Sequence, residues 1–155
     1  MSTFSWDGVR TLVTGGRGFL GTHVIAALEQ RGAVARAVGR AEADLCDRSA
    51  THALFEEIRP QVVIHCAVQG GGIGWMRDHP VESGRDNALM NVHVLEAAHA
   101  CGAELFLGAS SACCYPRTPP IPFREEDLWN GYPEPTNGPY ALSKRMMMDL
   151  GRAYQ

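Results

Sequence analysis

The chain has 155 residues, 45% of them hydrophobic and 20% charged, with a formal net charge of −3. This is the make-up of one ordinary globular domain able to bury a core, and its mild acidity leaves no basic footprint for nucleic acid or an anionic membrane. No apolar run approaches membrane-spanning length, and the first seven residues lack the apolar centre of a signal peptide. Five cysteines (Cys46, Cys66, Cys101, Cys113 and Cys114) form no CxxC pair. That argues against a disulfide framework or a metal site and for a reducing compartment, so the cytoplasm is the expected location.

Val9 to Thr14 is a short β-branched, apolar run; Gly15, Gly18 and Gly21 follow at three-residue spacing, and Leu20, Val24, Ile25 and Leu28 at helical period. The pattern predicts a buried strand, a tight turn and a helix from Phe19 to about Arg31. Gly15 allows the turn, Gly18 lets the main chain approach a pyrophosphate, and Gly21 lets helix and strand pack without a Cβ between them. The positive end of the helix then faces the phosphates, so the stretch reads as a dinucleotide-binding turn. Ala33 to Val38 predicts a second strand, with Gly39 and Arg40 at its end, where an adenosine ribose lies in such a fold. NAD-binding proteins often place Asp or Glu there. Arg40, and Arg17 inside the glycine turn, would instead suit a 2′-phosphate, which points to NADP(H) ahead of NAD(H); otherwise both arginines are simply solvated. Asp44, followed by Leu45, is a candidate acceptor from the adenine amino group.

Ser49 to Arg59 has helical spacing and is stopped by Pro60, and Gln61 to Val68 is a continuous apolar run expected in a parallel sheet buried on both faces. Residues 70–74 hold four glycines in five positions, a loop that either hugs a ligand or stays mobile. A long helix is predicted from Val81 to Cys101, ending at Gly102; His93 and His99 lie six apart on it and do not share a face as ligands would. Glu104 to Ala109 is the next buried strand. This alternation is that of an α/β fold with a doubly wound parallel sheet, and one dinucleotide-binding domain spans residues 1–155. Tyr115 to Pro139 holds seven of the nine prolines and is expected as a surface loop over the sheet's carboxyl edge, with the charged run Glu125 to Asp127 opening at most one helical turn. Thr136 and Asn137 supply capping side chains, and Pro139 the first turn, for a last helix from Tyr140 to about Tyr154.

Tyr140 and Lys144 stand four apart on that helix, on one face, and Lys144 is the only lysine in the chain. An ammonium there favours the phenolate and makes the phenol a usable acid or base near neutrality. Ser110 and Ser111 follow a strand at the ligand-binding edge, where a hydroxyl would hold a substrate carbonyl; otherwise both merely form the turn before Pro116. Cys113 and Cys114 are more often small buried apolar residues than catalysts.

Taken together, TGGRGFLG (14–21), VVIHCAV (62–68), SSACCYP (110–116) and YALSK (140–144) resemble, in their order, the extended short-chain dehydrogenase/reductases, the NAD-dependent epimerase/dehydratase superfamily. Within it the chain is similar to the GDP-L-fucose synthase family, through Gly70 to Ile73, Leu105 to Gly108, Cys113 to Pro116 and Glu134 to Tyr140. The resemblance implies a Rossmann-type sheet lacking its last strands and the C-terminal substrate domain, since members are about twice this length. It implies an NADP(H)-dependent epimerase/reductase acting on a nucleotide sugar, working as a homodimer. Tyr140 would give a proton to a 4-keto oxygen. Lys144 would lower its pKa and bind the nicotinamide ribose, and Ser111 would hold the sugar carbonyl. Cys113 would shuttle protons at the flanking carbons, and Asn87 would support the relay. The cofactor-binding set is Gly15, Arg17, Gly18, Phe19, Leu20, Gly21, Arg40, Asp44, Leu45, Ala67, Asn87, Tyr140 and Lys144. The run from Gly108 to Cys113 is longer than the family's, so the serine is Ser110 or Ser111, and the family's later histidine has no counterpart before Gln155. A 4,6-dehydratase, a 4-epimerase and a catalytically silent NADP-binding or dimerisation module are the alternatives.

Overall fold

A computed structural model describes residues 4–155; residues 1–3, part of the segment read above for a signal peptide, lie outside the described residues. The chain forms two compact units: the chain up to Val68 with His93–Ala109, and Gln69–Val92 with Ser110–Gln155.

The first unit is a four-stranded parallel sheet of β1 (Arg10–Thr14), β2 (Val34–Val38), β3 (Val62–His65) and β4 (Leu105–Gly108), in the order β2-β1-β3-β4. From β1 the chain passes through α1 (Phe19–Glu29) to β2, then through α2 (Arg48–Ile58) back across β1 to β3. Right-handed crossovers therefore put α1 on one face and α2 on the other, which is the doubly wound arrangement. Strand alternation serves both faces. Val13, Ala35 and Ile64 pack with Val24, Ile25 and Leu28 of α1, while Leu12 and Val63, adjacent in register, are fully buried on the opposite side. Asp47 caps α2 by accepting from the Ala50 N–H at 2.9 Å, and Arg59 ends it in the left-handed region at φ 47°.

Two strands differ from expectation. β3 stops at His65, not Val68. The Cys66 N–H still donates to Thr14 O at 3.0 Å, but β1 then turns at Gly15, φ +65°, and its ladder with β3 ends there. β4 is not buried: it is the outer strand, and Leu105 and Leu107 are 39% and 45% exposed.

Arg48 of α2 is held by Glu96 through Nε at 2.9 Å, with His52 Nε2 3.5 Å from the same carboxylate. Arg48, and then His52, hold the Glu96 carboxyl down to about 2 from an ordinary 4.5. A carboxylate whose folded pKa is depressed contributes stability that is fully present above the unfolded pKa and is lost as pH falls through the folded one. Acid titration at low salt should therefore show a loss between about pH 4.5 and 2, modest because the pair is exposed and salt-screened. Glu96→Gln is expected to flatten that limb, and an acid limb identical to wild type would show the pair to be idle.

The second unit holds α3 (Gly72–Asp78), the first part of α4 (Pro80–Ala100) and α5 (Gly138–Ala153), with single 3₁₀ turns at Ala112–Cys114, Glu125–Trp129 and Pro135–Asn137. α3 is a helix where the glycine run predicts only a loop. The Trp75 ring lies on Gly71, where a Cβ would come within 2.8 Å of it, and stacks on His79 at 4.8 Å; that contact closes the turn despite its glycines. Pro139 occupies the first turn of α5 as expected, but no side chain caps the helix. Thr136 donates to Glu134 Oε1 at 3.3 Å instead, and the buried Asn137 Oδ1 has no hydrogen-bond partner. α4 and α5 meet where the Asn91 amide donates to Ser143 O at 3.0 Å. None of the five cysteines is in a disulfide. Among the described residues no helix is long and apolar enough to cross a membrane, and no cluster of His, Cys, Asp or Glu is arranged to hold a metal.

Candidate active site

In the first unit the glycine turn is packed backbone against backbone. A Cβ on Gly15 would lie 2.7 Å from Ala67 N, and one on Gly16 2.7 Å from Val13 O and 2.8 Å from Ala37 Cα. On Gly21 it would overlap Gly15 O outright and stand 2.5 Å from Gly16 Cα. Gly16, not singled out by the glycine spacing, is thus as confined as Gly15. Gly18 differs: its Cβ would meet only Gly15 O, at 3.2 Å, so packing alone does not demand glycine there. Gly18 is the N-cap of α1, which has no side-chain cap and no acidic residue in its first turn. Phe19 and Leu20 stand exposed beside it. The free N–H groups of that turn, with the helix dipole behind them, form an anion-binding end that fits a pyrophosphate.

At the end of β2 the structure supplies a residue that the sequence reading missed. Glu42 sits on a turn closed by its N–H to Gly39 O at 3.2 Å, and its carboxylate accepts from the Gly39 N–H at 2.9 Å and from Arg17 Nε at 2.8 Å. The Arg17 bond, then the Gly39 N–H, hold that carboxyl below its usual range. Of the two arginines read for a 2′-phosphate, Arg17 is exposed and ion-paired with Glu42, and Arg40 lies at the surface. The detectable signal was an acidic residue three positions after a strand-ending glycine, the reach of one turn. Asp44 Oδ1 accepts from the Cys46 N–H at 2.9 Å in a local turn, Leu45 is buried, and Ala67 meets the turn through its backbone.

The second unit brings Tyr140, Lys144, Ser111 and both adjacent thiols together. Tyr140 and Lys144 are both buried on α5. Ser111 is the N-cap of the Ala112–Cys114 turn: its hydroxyl accepts from the Cys113 N–H at 3.1 Å and lies near enough to the Tyr140 phenol to lower its pKa. Ser110 faces sulfur instead, 3.7 Å from Cys114 Sγ and 3.8 Å from Met148 Sδ. The phenol's acidity runs opposite to the sequence expectation. Burial pushes it up, the Ser111 hydroxyl pulls it down, and the two thiols push it up again; the Lys144 charge instead bears on Cys114. Burial also raises the Cys114 thiol, which is enclosed, whereas Cys113 is half-buried. Asn87, fully buried, accepts from the Gln69 N–H at 3.0 Å and donates to Gln69 O and Ser83 O, each at 2.7 Å. Its side chain is spent on backbone, pinning the start of the glycine-rich loop. An open cleft of about 610 Å³ borders Ser111, with Tyr115, Glu125 and Arg152 on its walls.

Comparison with known proteins adds the following. Residues 11–155 match the protein family described as "NAD dependent epimerase/dehydratase family". The chain is 33% identical over 146 residues to GDP-L-fucose synthase of Escherichia coli (strain K12), covering 94% of this chain and 46% of that protein. It is similar to a crystal structure of a GDP-L-fucose synthetase from Naegleria fowleri bound to NADP: TM-score 0.85, 34% identity, 98% of this chain and 49% of that one. It is also similar to UDP-glucose 4-epimerase of Thermus thermophilus in complex with NAD: TM-score 0.78, 28% identity, 94% of this chain and 50% of that one. The chain spans about half the length of the curated relatives it matches.

Proposed function

Because the chain belongs to the NAD dependent epimerase/dehydratase family, we propose that it is the NADP(H)-binding, proton-donating part of a nucleotide-sugar epimerase/reductase of GDP-L-fucose synthase type. The observation that carries the reading is that Tyr140 and Lys144 are both buried, one turn apart on α5, with the Ser111 hydroxyl close enough to draw the phenol's pKa down. Burial that raises the phenol keeps it protonated, the state a donor needs. NADPH, when bound, supplies the hydride. Tyr140 gives its proton to the 4-keto oxygen as that oxygen gains charge, so the ketone leaves as an alcohol, and Ser111 holds the same oxygen. Lys144 lies one turn further along α5 to meet the nicotinamide ribose. The half-buried Cys113 thiol stands beside them for the carbons flanking the ketone, whose protons the carbonyl makes acidic. Gly15 to Gly21 receive the pyrophosphate and Arg17 the 2′-phosphate. α5 exposes Leu142 and Met146 one turn apart and α4 exposes Leu89, an apolar surface suited to a second copy of the chain in a homodimer.

A second reading, a 4-epimerase using NAD(H), draws on Glu42, whose carboxylate stands where ribose hydroxyls are held in NAD-binding folds. Fluorescence titrations separate the two. NADPH is expected to bind about tenfold or more tighter than NADH, the value of one charge-assisted phosphate contact, and Arg17→Ala to erase the difference. Glu42→Gln should tighten NADPH further by releasing Arg17. Equal affinities, or tighter NADH, would favour the epimerase reading.

A further inference from the structure

Arg145, next to Lys144, is a buried arginine to which neither the sequence motifs nor the proposed chemistry gives a task. Its Nε donates to Cys114 O at 2.7 Å and its Nη1 to Gly131 O at 2.9 Å, and its guanidinium lies over the Trp129 ring, 5.6 Å from the centroid. Nη2 is buried without a hydrogen-bond partner. Cys114 closes the one-turn helix that Ser111 opens, with the Cys114 N–H on Ser111 O at 3.0 Å. The other tie between that turn and α5 is weak: a long thiol contact from Cys114 Sγ to Ala141 O at 3.7 Å. The charge-assisted fork of Arg145 is the strongest link, and only a rigid planar fork meets two carbonyls 17 residues apart in the chain while stacking on an indole.

We propose that Arg145 is a positioning residue: it locks the Ser111–Cys114 turn and the loop at Gly131 onto α5, and so keeps the Ser111 hydroxyl beside the Tyr140 phenol. The consequence for turnover rests on the function proposed above; the geometric claim does not. The test is a coupling cycle read on the phenol. With tyrosine labelled at the ring carbon bearing oxygen, the Tyr140 NMR signal, assigned by its loss in Tyr140→Phe, is titrated in wild type, Ser111→Ala, Arg145→Met and the double variant. Loss of the Ser111 hydroxyl, which draws the phenol's pKa down, moves the midpoint upward in Ser111→Ala. Arg145→Met is expected to move it upward too, and the double variant to move no further than Ser111→Ala alone, because both changes break one contact. Arg145→Lys, which keeps charge and stem but loses the fork, is expected to give an intermediate shift and carries the same cycle if the methionine variant does not fold. A merely structural arginine would lower the melting temperature and leave the Tyr140 midpoint where it was; that result, or additive shifts, overturns the proposal. NADPH titration of the wild-type chain is run alongside. Absent binding there counts against the proposed function and leaves the coupling cycle readable.

Discussion

Gly21→Ala is expected to destroy NADPH binding and to destabilise the first unit by about 3 kcal/mol or more, at the upper end of overpacking effects. The added Cβ would overlap Gly15 O and crowd Gly16 Cα at 2.5 Å and Gly15 C at 2.8 Å. All three are backbone atoms, so no side-chain rotation relieves the clash. Nor can the turn withdraw, since Gly15 is itself pressed against Ala67 and Gly16 against Val13 and Ala37. Gly18→Ala is the informative contrast. Its Cβ meets one atom at 3.2 Å, so the melting temperature should fall little while NADPH affinity falls sharply, because there the methyl intrudes on ligand and not on protein. Thermal melts and cofactor titrations of both variants check this. A Gly21→Ala chain that melts and binds like wild type would remove the turn from the cofactor site.

On the function proposed above, Tyr140→Phe is expected to reduce NADPH oxidation by a 4-keto nucleotide sugar about 10²- to 10⁴-fold, the usual contribution of a positioned acid, with NADPH affinity nearly unchanged. Only the hydroxyl is lost, and the cofactor contact proposed nearby belongs to Lys144. Lys144→Met should behave differently, weakening cofactor binding as well as turnover, since its proposed contact is with the nicotinamide ribose. Steady-state assays and titrations on the two variants distinguish the roles, and retained turnover in the phenylalanine variant would eliminate Tyr140 as the donor.

Both predictions rest on residues that sequence spacing exposes. A three-residue glycine repeat between a β-branched run and a helical period has few physical solutions, and a tyrosine four before the only lysine shares its helix face by geometry alone. What the spacing could not carry depends on partners distant in the chain. Glu42 matters because a turn returns it to Gly39 and a long side chain reaches Arg17. Arg145 matters because Cys114 and Gly131 offer it their carbonyls. The rise in the phenol's pKa comes from burial, which the Tyr140–Lys144 spacing does not encode. α3 escaped notice because glycine disfavours helix locally, and only the packing of Trp75 onto Gly71 reverses that preference. β4 reads as a buried strand because apolar runs do not distinguish a central position from an outer one.

That last misreading has a practical side. No strand hydrogen-bonds to the far side of β4 among the described residues, and two leucines lie open on that strand with no lysine, proline or bulge within it to discourage pairing. A net charge of −3 supplies little long-range repulsion once salt is added. Such an outer strand is a template for pairing with another chain, and a charge introduced along that seam is expected to reduce aggregation.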